Sequence, residues 1–517
     1  MPVAGGHVDL RTGAAQVLPE FDVCIVGAGP AGIALALALA ASPLRIGLLE
    51  AGGTAPQATP QVDIVGRPYA GALRSAGIGG SSHLWGGHCV PLSAAHLGRR
   101  TWVPGGAWPF GLAELLPWYA RAHELLQLGR FDYDATAAAA GAGARLMPPL
   151  EGFETTVSRY QPIDFAERYG AALRRAPNLS VLLHGRAVEL VQDAGGRIDG
   201  LVIRTGAGRR LTLRAATYVL AAGGIENARL LLASRSRRAE GVANGTGLVG
   251  RNFMEHISYL SGTLVPGRAW DVRGNLSAYA APLPCDGHSI RFHLAATEAL
   301  EQRLRIPGYR AELHVAPLLR WAGRHVLRPA SPAMRARALR EIAARPVAAM
   351  RALAGARGAP WCLRLLNFVE QVPNPDSRVM LSERRDAHGE PIAAVDWRLS
   401  PADREGIARA QAALAASVAR AGIGRLLREL PEEKDELLAG AAGGWHHMGT
   451  TRMSAEPGRG VVDPQLRAHD APNLYIAGSS VFPSGGWANP TLTIVALSLR
   501  LAAHIEAQAR PVIRVAS

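Results

Sequence analysis

Six residues near the amino terminus have the types and spacing needed to hold a dinucleotide. The stretch reads Gly27-Ala28-Gly29-Pro30-Ala31-Gly32, which is GxGxxG between an apolar run and an Ala/Leu-rich run. Gly27 allows a tight turn, Gly29 lets the backbone approach a pyrophosphate, and Gly32 lets a helix pack closely on a strand. The helix that follows would present unpaired N–H groups and a partial positive charge to the phosphates.

A carboxylate stands where a dinucleotide ribose would need one. Glu50 directly follows the apolar run at 44–49, which lies beyond the GxGxxG motif. Its carboxylate can accept hydrogen bonds from both ribose hydroxyls and would repel a 2′-phosphate, so NADP is disfavoured. The motif does not separate FAD from NAD.

A second glycine-rich stretch also suggests contact with a ligand. It reads Gly79-Gly80-Ser81-Ser82-His83-Leu84-Trp85-Gly86-Gly87. Glycines at this density indicate backbone that runs against a flat molecule, where a Cβ would clash. A flexible surface loop is the alternative interpretation of this segment taken alone.

The carboxy-terminal block brings imidazoles, hydroxyls and an amide close in sequence. It contains Trp445-His446-His447-Met448-Gly449-Thr450, then Gly478-Ser479-Ser480, then Ala488-Asn489-Pro490-Thr491-Leu492-Thr493. Residues 474–477 predict a buried strand that ends in Gly-Ser-Ser. Pro490 suits a first helical position and Asn489 suits an N-cap. An apolar face at helical spacing follows, made of Leu492, Val495, Ala496, Leu499 and Ala503.

The elements that position these groups are predicted as strand, loop and helix, not as membrane spans. Residues 23–44 carry no charge, which meets the length criterion for a span. They divide better into a strand at 21–26, a helix at 30–41 ended by Ser42-Pro43, and a second strand at 44–49. Residues 472–499 are interrupted by prolines and glycines, which favours a strand, a loop and a helix.

Composition excludes several classes of protein. The chain has 517 residues, 48% of them hydrophobic and 19% charged, so a large core is expected and whole-chain disorder is excluded. At about 150 residues per domain, roughly three domain units are expected. The net charge is 56 − 42 = +14, but the arginines are spread along the chain, so no nucleic-acid binding is expected.

The cysteines and the amino terminus indicate a compartment. The cysteines at 24, 89, 285 and 362 form no CxxC pair, which favours a reduced environment. The first 20 residues lack a basic start followed by an apolar run, so no signal peptide is expected. A cytoplasmic location is the prediction.

Taken in order and together, these motifs resemble those of the glucose-methanol-choline (GMC) oxidoreductases, a family of FAD enzymes. The resemblance rests on GAGPAG at 27–32, Glu50-Ala51-Gly52-Gly53, GGSSHLWGG at 79–87, the His-His-Met-Gly-Thr run at 446–450 and ANPTLT at 488–493. It covers about residues 20–508, is weakest over 265–360, and is nearest in kind to pyranose oxidases and related bacterial sugar dehydrogenases.

The resemblance implies a catalytic pair. By the family's HxxGT spacing, His446 is the base that takes the hydroxyl proton of an alcohol, while hydride passes to the flavin N5. Asn489 matches the second family position, where it would donate to the same oxygen and orient the C–H bond. A neutral imidazole suits the role near neutrality. A plain helix cap is the alternative for Asn489. His447 does not match the base position and is interpreted as a structural histidine.

The resemblance also implies the residues that contact FAD. The expected set is Gly27, Ala28, Gly29, Pro30, Ala31, Gly32, Glu50, Ala51, Gly80, Ser81, Trp85, Gly86, Gly87, His88, Val188, Ala222, Gly223, Gly478, Ser479, Asn489, Pro490 and Thr491. In relatives with covalent flavin, the attached histidine corresponds by spacing to Leu84. Leucine cannot form that bond, so FAD is expected to be held non-covalently, and no metal site is expected.

The expected fold is α/β: a Rossmann-like FAD-binding domain with a discontinuous substrate domain on a mostly antiparallel sheet. The FAD domain is predicted at 18–95, 175–265 and 440–517, and the substrate domain at 96–174 and 266–439. The expected activity is oxidation of a CH–OH group in a sugar, glycoside or other secondary alcohol. A non-redox lyase and a photodecarboxylase on the same scaffold are the alternatives.

The electron acceptor is not fixed by any motif, and oxygen, a quinone or a redox protein all fit. Residues 332–354 carry arginines beside apolar residues, and we interpret them as a solvated arginine face over the substrate domain. The alternative is a basic amphipathic helix that rests on a membrane or a redox partner.

Overall fold

The computed structural model describes residues 6–12, 18–59, 62–66, 69, 74–272, 274–327, 332–344, 346, 361–429 and 442–509. Its strands, in chain order, are β1 (Gly6–Asp9), β2 (Phe21–Val26), β3 (Ile46–Leu49), β4 (Gln57–Ala58), β5 (Asp63–Val65), β6 (Ser75–Ala76), β7 (His88–Cys89), β8 (Phe153–Tyr160), β9 (Leu179–Leu183), β10 (Gly185–Gln192), β11 (Ile198–Thr205), β12 (Arg210–Leu213), β13 (Ala215–Leu220), β14 (His256–Pro266), β15 (Leu283–Cys285), β16 (His288–Ala296), β17 (Tyr309–Pro317), β18 (Trp361–Glu370), β19 (Arg378–Arg385), β20 (Pro391–Asp396), β21 (Gly424–Leu427), β22 (Ala442–Gly443) and β23 (Leu474–Ile476).

The α-helices of the same residues alternate with these strands. They are α1 (Pro30–Leu39), α2 (Ala94–Leu97), α3 (Leu112–Leu126), α4 (Ala135–Gly141), α5 (Phe165–Arg175), α6 (Gly223–Ala233), α7 (Glu298–Leu304), α8 (Leu318–Leu327), α9 (Pro332–Ala343), α10 (Pro401–Arg420) and α11 (Thr491–Ala509).

A parallel sheet of six strands forms the first layer, in the order β1-β9-β3-β2-β13-β23. Every neighbouring pair in it is parallel. Because helices cover a parallel sheet, its strands are buried and apolar without alternation, as in the Phe-Asp-Val-Cys-Ile-Val run of β2. The predicted strand–helix–strand unit is confirmed, with α1 ending at Leu39 and β3 beginning at Ile46.

A sheet of nine strands forms the second layer. Its main path is β21-β14-β18-β17-β16-β8-β7, with β15 beside β16 and β22 beside β14. Its pairs are antiparallel. The α/β fold with a mostly antiparallel second sheet is therefore as expected.

The two sheets divide the chain differently from the predicted domain boundaries. Residues 88–89 and 256–265 were predicted in the FAD domain, but β7 and β14 pair within the nine-stranded sheet. Helix α5 lies in the predicted substrate segment 96–174, yet it packs against α1 and β9 of the parallel layer. The chain passes between the two layers at positions that no change in composition marks, and the predicted domain boundaries stay a prediction.

Apolar side chains form a separate core in each layer. The larger core lies around the parallel sheet and includes Ile25, Ile33, Val219 and Val495. The second lies against the antiparallel sheet and includes Phe292 and Tyr309. All four cysteines are buried and free. Among the described residues, no helix has both the length and the apolar character to span a membrane.

Part of the basic segment 332–354 lies in α9. Arg335, Arg337, Arg340 and Leu339 are exposed there, whereas Ala338 and Glu341 are buried. Residues 345 and 347–354 lie outside the described residues. The proposed docking role of this segment stays a prediction.

Candidate active site

A cleft runs along the carboxyl edge of the parallel sheet and gathers residues from all parts of the chain. Many of the residues expected to contact FAD line it: Gly27, Gly29, Pro30, Ala31, Glu50, Ala51, Gly80, Ser81, Ala222, Gly223, Gly478, Ser479 and Thr491. This is the edge where ligands bind in open α/β sheets.

Glycines in the cleft leave space that a side chain would fill. An added Cβ at Gly29, Gly223 or Gly478 would meet nothing within 4 Å of the protein. By contrast, a Cβ at Gly32 would lie 1.9 Å from the carbonyl oxygen of Gly27. The first three glycines thus leave room for a ligand beside the backbone, and Gly32 serves helix–strand packing, as its place in the motif predicts. The cleft fits an FAD whose phosphates lie at the amino end of α1.

Glu50 is held rigidly at the cleft by backbone N–H groups. Its Oε2 accepts from Ala28 at 2.8 Å, and its Oε1 accepts from Gly52 at 2.9 Å and from Gly77 at 2.8 Å. Burial raises the pKa of Glu50, against the lowering effect of these hydrogen bonds. Since each carboxylate oxygen has two lone pairs, acceptor capacity for ribose hydroxyls remains.

Other expected contact residues lie outside the lining of this cleft. Ala28 is buried, and the residue that lines the cleft next to the expected Val188 is its neighbour Ala187. The remaining ones are Gly32, Trp85, Gly86, Gly87, His88, Asn489 and Pro490. Helix α11 begins at Thr491, one residue later than the sequence predicts.

The density of glycines at 79–87 has a cause beyond ligand contact. Gly87 has φ +75°, and a Cβ there would lie 2.4 Å from the Pro162 nitrogen. Gly80 has φ +54°, and its Cβ would lie 2.9 Å from the Gly29 Cα. Backbone crowding therefore explains part of the signal. Leu84, at the position where covalent flavin would need a histidine, is exposed.

One end of the cleft carries a charged network that the sequence did not reveal. Glu226 accepts from Arg74 at 2.7 Å and from Arg229 at 2.6 Å. Burial raises the pKa of Glu226, but Arg229 and Arg74 lower it by more than burial raises it, so the carboxylate is ionised. All three line the cleft beside Ala187.

His446 is hydrogen-bonded to a second histidine. The Nδ1 atoms of His446 and His256 lie 2.9 Å apart, and the Nε2 of His256 lies 2.9 Å from the carbonyl oxygen of Gly486. A carbonyl only accepts, so the His256 Nε2 carries the hydrogen. In neutral His256 the Nδ1 must then accept, and His446 must donate from its own Nδ1.

This chain of hydrogen bonds fixes the tautomer of His446. With hydrogen on Nδ1, the Nε2 of His446 holds the free lone pair. Burial, followed by the positive potential of His256 and Arg310, lowers the pKa of His446 well below its ordinary value. Burial likewise lowers the pKa of His256 to about 4. Both rings are therefore neutral near pH 7.

Glu370 anchors the carbonyl on which this tautomer depends. Its carboxylate accepts from Gly486 N at 2.9 Å and from Gly308 N at 2.9 Å. Arg100 donates to both oxygens, at 2.6 and 2.7 Å. Burial raises the pKa of Glu370, but Arg100 lowers it to about 2, so the pair stays charged. The loop before Asn489 is thus tied to β18 by a hydrogen bond from Gly486 to Glu370, whose carboxylate is held in a buried ion pair with Arg100.

Arg310 orients the amide of Asn489. Its Nη1 donates to the Asn489 Oδ1 at 3.2 Å. Since arginine has no acceptor, the amide oxygen must face Arg310, which leaves the amide NH₂ for other partners. The Arg310 guanidinium lies 4.5 Å from the centroid of Phe368, whose ring is 5.7 Å from that of His446. Arg310 and Phe368 therefore bring His446 and Asn489 into one site.

His447 points to a different environment from His446. It lines the FAD cleft, and its Nε2 lies 3.6 Å from Glu255 Oε1. Glu255 also accepts from the backbone N–H of His446 at 2.7 Å and from the Tyr69 hydroxyl. Burial raises the pKa of Glu255 to about 8.

Several residues of the site escaped the sequence reasoning, namely Arg100, Arg310, Phe368 and Glu370. A signal for Arg310 was present, because Arg310, Glu312 and His314 alternate with apolar residues along β17. Polar residues at every second position of an interior strand share one face of the sheet.

The fold and the site define a flavoprotein oxidoreductase, with FAD as cofactor. Residues 373–498 match the family described as GMC oxidoreductase. This match agrees with the family that the motifs along the chain resemble and supports a GMC-type oxidoreductase acting on CH–OH donors.

Relatives along the whole chain agree with this assignment. The protein is 26% identical to paromamine 6′-oxidase of Streptomyces fradiae, over 93% of this chain and 90% of that one. It is 27% identical to 6‴-hydroxyparomomycin C oxidase of Streptomyces lividus, over 98% and 95%. The structure of pyridoxine 4-oxidase from Mesorbium loti aligns with a TM-score of 0.60 at 20% identity, over 93% and 98% of the two chains.

Proposed function

We propose that the protein oxidises a CH–OH group of a sugar, a glycoside or another secondary alcohol, with His446 as base and Asn489 orienting the substrate oxygen. Bound FAD supplies the hydride acceptor, its N5. The observation that carries the proposal is the chain from Gly486 through His256 to His446. It leaves the Nε2 of a neutral imidazole ready to accept a proton.

The base is kept neutral by its surroundings. A protonated imidazole would be useless as a base, and burial with nearby positive charge disfavours protonation of His446. When Nε2 takes the hydroxyl proton, the new positive charge is shared towards His256 Nδ1 through the 2.9 Å hydrogen bond. Proton removal and hydride loss from the adjacent carbon together make a carbonyl.

Asn489 supplies the second contact. Because Arg310 holds its Oδ1, the amide NH₂ can donate to the substrate oxygen. A donor placed there stabilises the negative charge that develops as the proton leaves. The two residues would also fix the direction of the C–H bond.

The sugar or glycoside class is supported by the relatives. Their names specify paromamine and 6‴-hydroxyparomomycin C as substrates of proteins related over nearly the full chain. The first name places the oxidation of that substrate at its 6′ position, and the second names a 6‴-hydroxyl.

Anaerobic mixing of the FAD-loaded protein with a panel of sugars and glycosides tests the proposal. Alcohol oxidation bleaches the flavin absorbance in the dark and yields one carbonyl per flavin. A lyase would turn over substrate with the flavin spectrum unchanged, and a photodecarboxylase would require light and release carbon dioxide. Either outcome would refute the proposal.

A further inference from the structure

The face of the nine-stranded sheet beside the catalytic pair carries a polar cluster, which we call the sheet-face cluster. It consists of His88, Arg291, His293, Arg310, Glu312 and His314. Its members come from β7, β16 and β17. Arg310 belongs to it and also contacts Asn489, so the cluster is the next layer of side chains beyond the catalytic amide.

One carboxylate in this cluster faces two arginines. Glu312 lies 3.1 Å from Arg310 Nη2 and 3.8 Å from Arg291 Nη1. Burial raises the pKa of Glu312, but His293 and Arg310 among other groups lower it to about 2, so it is ionised. The two guanidinium groups exceed the single carboxylate by one positive charge.

The three histidines add donors but no charge. Burial lowers the pKa of His88 to about 4, and burial also lowers the pKa of His293 and of His314. Each ring is therefore neutral near pH 7 and offers one N–H. The cluster keeps its net positive charge.

Several nitrogens of the cluster have no hydrogen-bond partner among the described residues. They are the Nδ1 of His88, the Nδ1 of His293, the Nε of Arg291, the Nε of Arg310 and the Nε2 of His314. His293 and Arg310 are 1% and 0% exposed. The Nδ1 of His293 and the Nε2 of His314 face Glu312 at 3.9 and 3.8 Å, which is beyond hydrogen-bond distance. Because buried polar groups are normally hydrogen-bonded, this many nitrogens without a hydrogen bond indicate a missing partner rich in acceptors.

A metal ion is a poor candidate for that partner. The ligand atoms of His88, His293 and Glu312 lie within 4.8 Å of one another, a spacing that could hold a cation. Glu312 is, however, already bound by Arg310 at 3.1 Å, and a divalent cation would raise the charge of an already positive cluster. An oxygen-rich anion would neutralise the positive charge and accept hydrogen bonds from the free N–H groups.

We propose that the sheet-face cluster binds an anionic group of the substrate, so that the enzyme acts on a carboxylate-bearing polyol such as a sugar acid. The inference rests on the proposed function, because it places the substrate between the catalytic pair and this sheet. A carboxylate would receive N–H donors from Arg291 and the histidines while its hydroxyl-bearing carbon lies at His446.

Ligand binding, rather than turnover, tests the inference. The protein is loaded with FAD and its flavin is first reduced with dithionite, so that no sugar can be oxidised. It is then titrated without oxygen at constant ionic strength with D-glucuronate, D-glucose and D-glucosamine, and the change in the reduced-flavin spectrum reports occupancy. Glucuronate should bind at least about tenfold more tightly than glucose, and glucosamine more weakly than glucose. The Arg291→Gln variant should lose the preference, whereas Arg238→Gln, whose guanidinium pairs with Asp470 at 3.1 Å, should keep it.

Several outcomes would overturn the inference. These are equal or tighter binding of glucosamine, a preference for glucuronate that survives in Arg291→Gln, or no spectral change with any of the three sugars. Binding of one Zn²⁺ per chain that is lost in His293→Ala would also overturn it in favour of a metal site. Failure of the proposed function is seen separately, as absence of flavin bleaching by every alcohol in the anaerobic panel.

Discussion

The Nδ1 atoms of His256 and His446 lie 2.9 Å apart, and this contact determines which nitrogen of His446 is free. Replacing His256 by Ala should slow flavin reduction by about 10- to 100-fold, because the tautomer of His446 is no longer fixed. His256→Asn places an amide oxygen near the lost Nδ1 and should restore most of the rate. Stopped-flow reduction of each variant measures this.

A purely structural role for His256 would give a different pattern. His256→Ala and His256→Asn would then lose FAD or stability alike, with no change in the pH profile of the reduction rate. The positioning role instead predicts that the acid limb of the profile in His256→Ala moves to higher pH.

His446 itself should be the larger contributor. His446→Ala is expected to slow reduction by on the order of 10²–10⁴ while FAD stays bound, because the role proposed for His446 is to accept a proton and the residue does not line the cleft. His83→Ala, in the glycine-rich loop, is the matched control. An unchanged rate in His446→Ala, measured with FAD content verified by absorbance, would remove the base from the proposal.

On the acid side of its pH profile, kcat/KM should begin to fall only at low pH. A base with the ordinary histidine pKa of about 6.5 would lose about tenfold in kcat/KM at pH 5.5. Because burial lowers the pKa of His446 well below that value, the unprotonated form persists, and kcat/KM should fall by much less than about tenfold between pH 7.5 and 5.5. A steady-state profile with a pKa near 6.5 would contradict the neutral, buried base.

Alanine substitutions at two glycines of the GxGxxG motif should impair different properties of the protein. Gly29→Ala adds a Cβ with no protein atom within 4 Å, so the variant should fold and lose FAD affinity. Gly32→Ala places a Cβ 1.9 Å from Gly27 O, so it should lower the melting temperature even of the apoprotein. Calorimetry and FAD titration on both variants separate the two effects, and equal loss of stability would refute the distinction.

Glu255 should make stability fall as pH rises. Its pKa is raised by burial to about 8, against about 4.3 in an unfolded chain. Between these values the folded state binds more protons, so the free energy of unfolding decreases with rising pH. Glu255→Gln should lack this slope. As the pH rises from 5 to 9, its melting temperature should therefore increase by about 2–4 °C relative to that of the wild type. The exposed Glu298→Gln should show no such gain.

The parallel layer and the cofactor could be predicted because their signals are local. GxGxxG, a strand on each side and a terminal Glu50 are contiguous, and close packing at Gly32 follows from the motif alone. The nine-stranded sheet and its site residues could not be predicted in detail, because pairing such as Arg310 with Phe368 across β17 and β18 joins distant segments. The glycine density at 79–87 was interpreted only as ligand contact. Crowding of the backbone against Pro162 requires glycine as well, and the two causes produce the same pattern in the sequence.

The place of β23 in the parallel sheet has a consequence for how the holoenzyme is made. This strand, near the end of the chain, hydrogen-bonds to β13, and Gly478 and Ser479 directly after it close one wall of the cleft. A nascent chain on the ribosome would therefore expose an open groove until the last segment emerges. Cofactor loading is expected to follow translation, and carboxy-terminal truncations should accumulate as colourless protein.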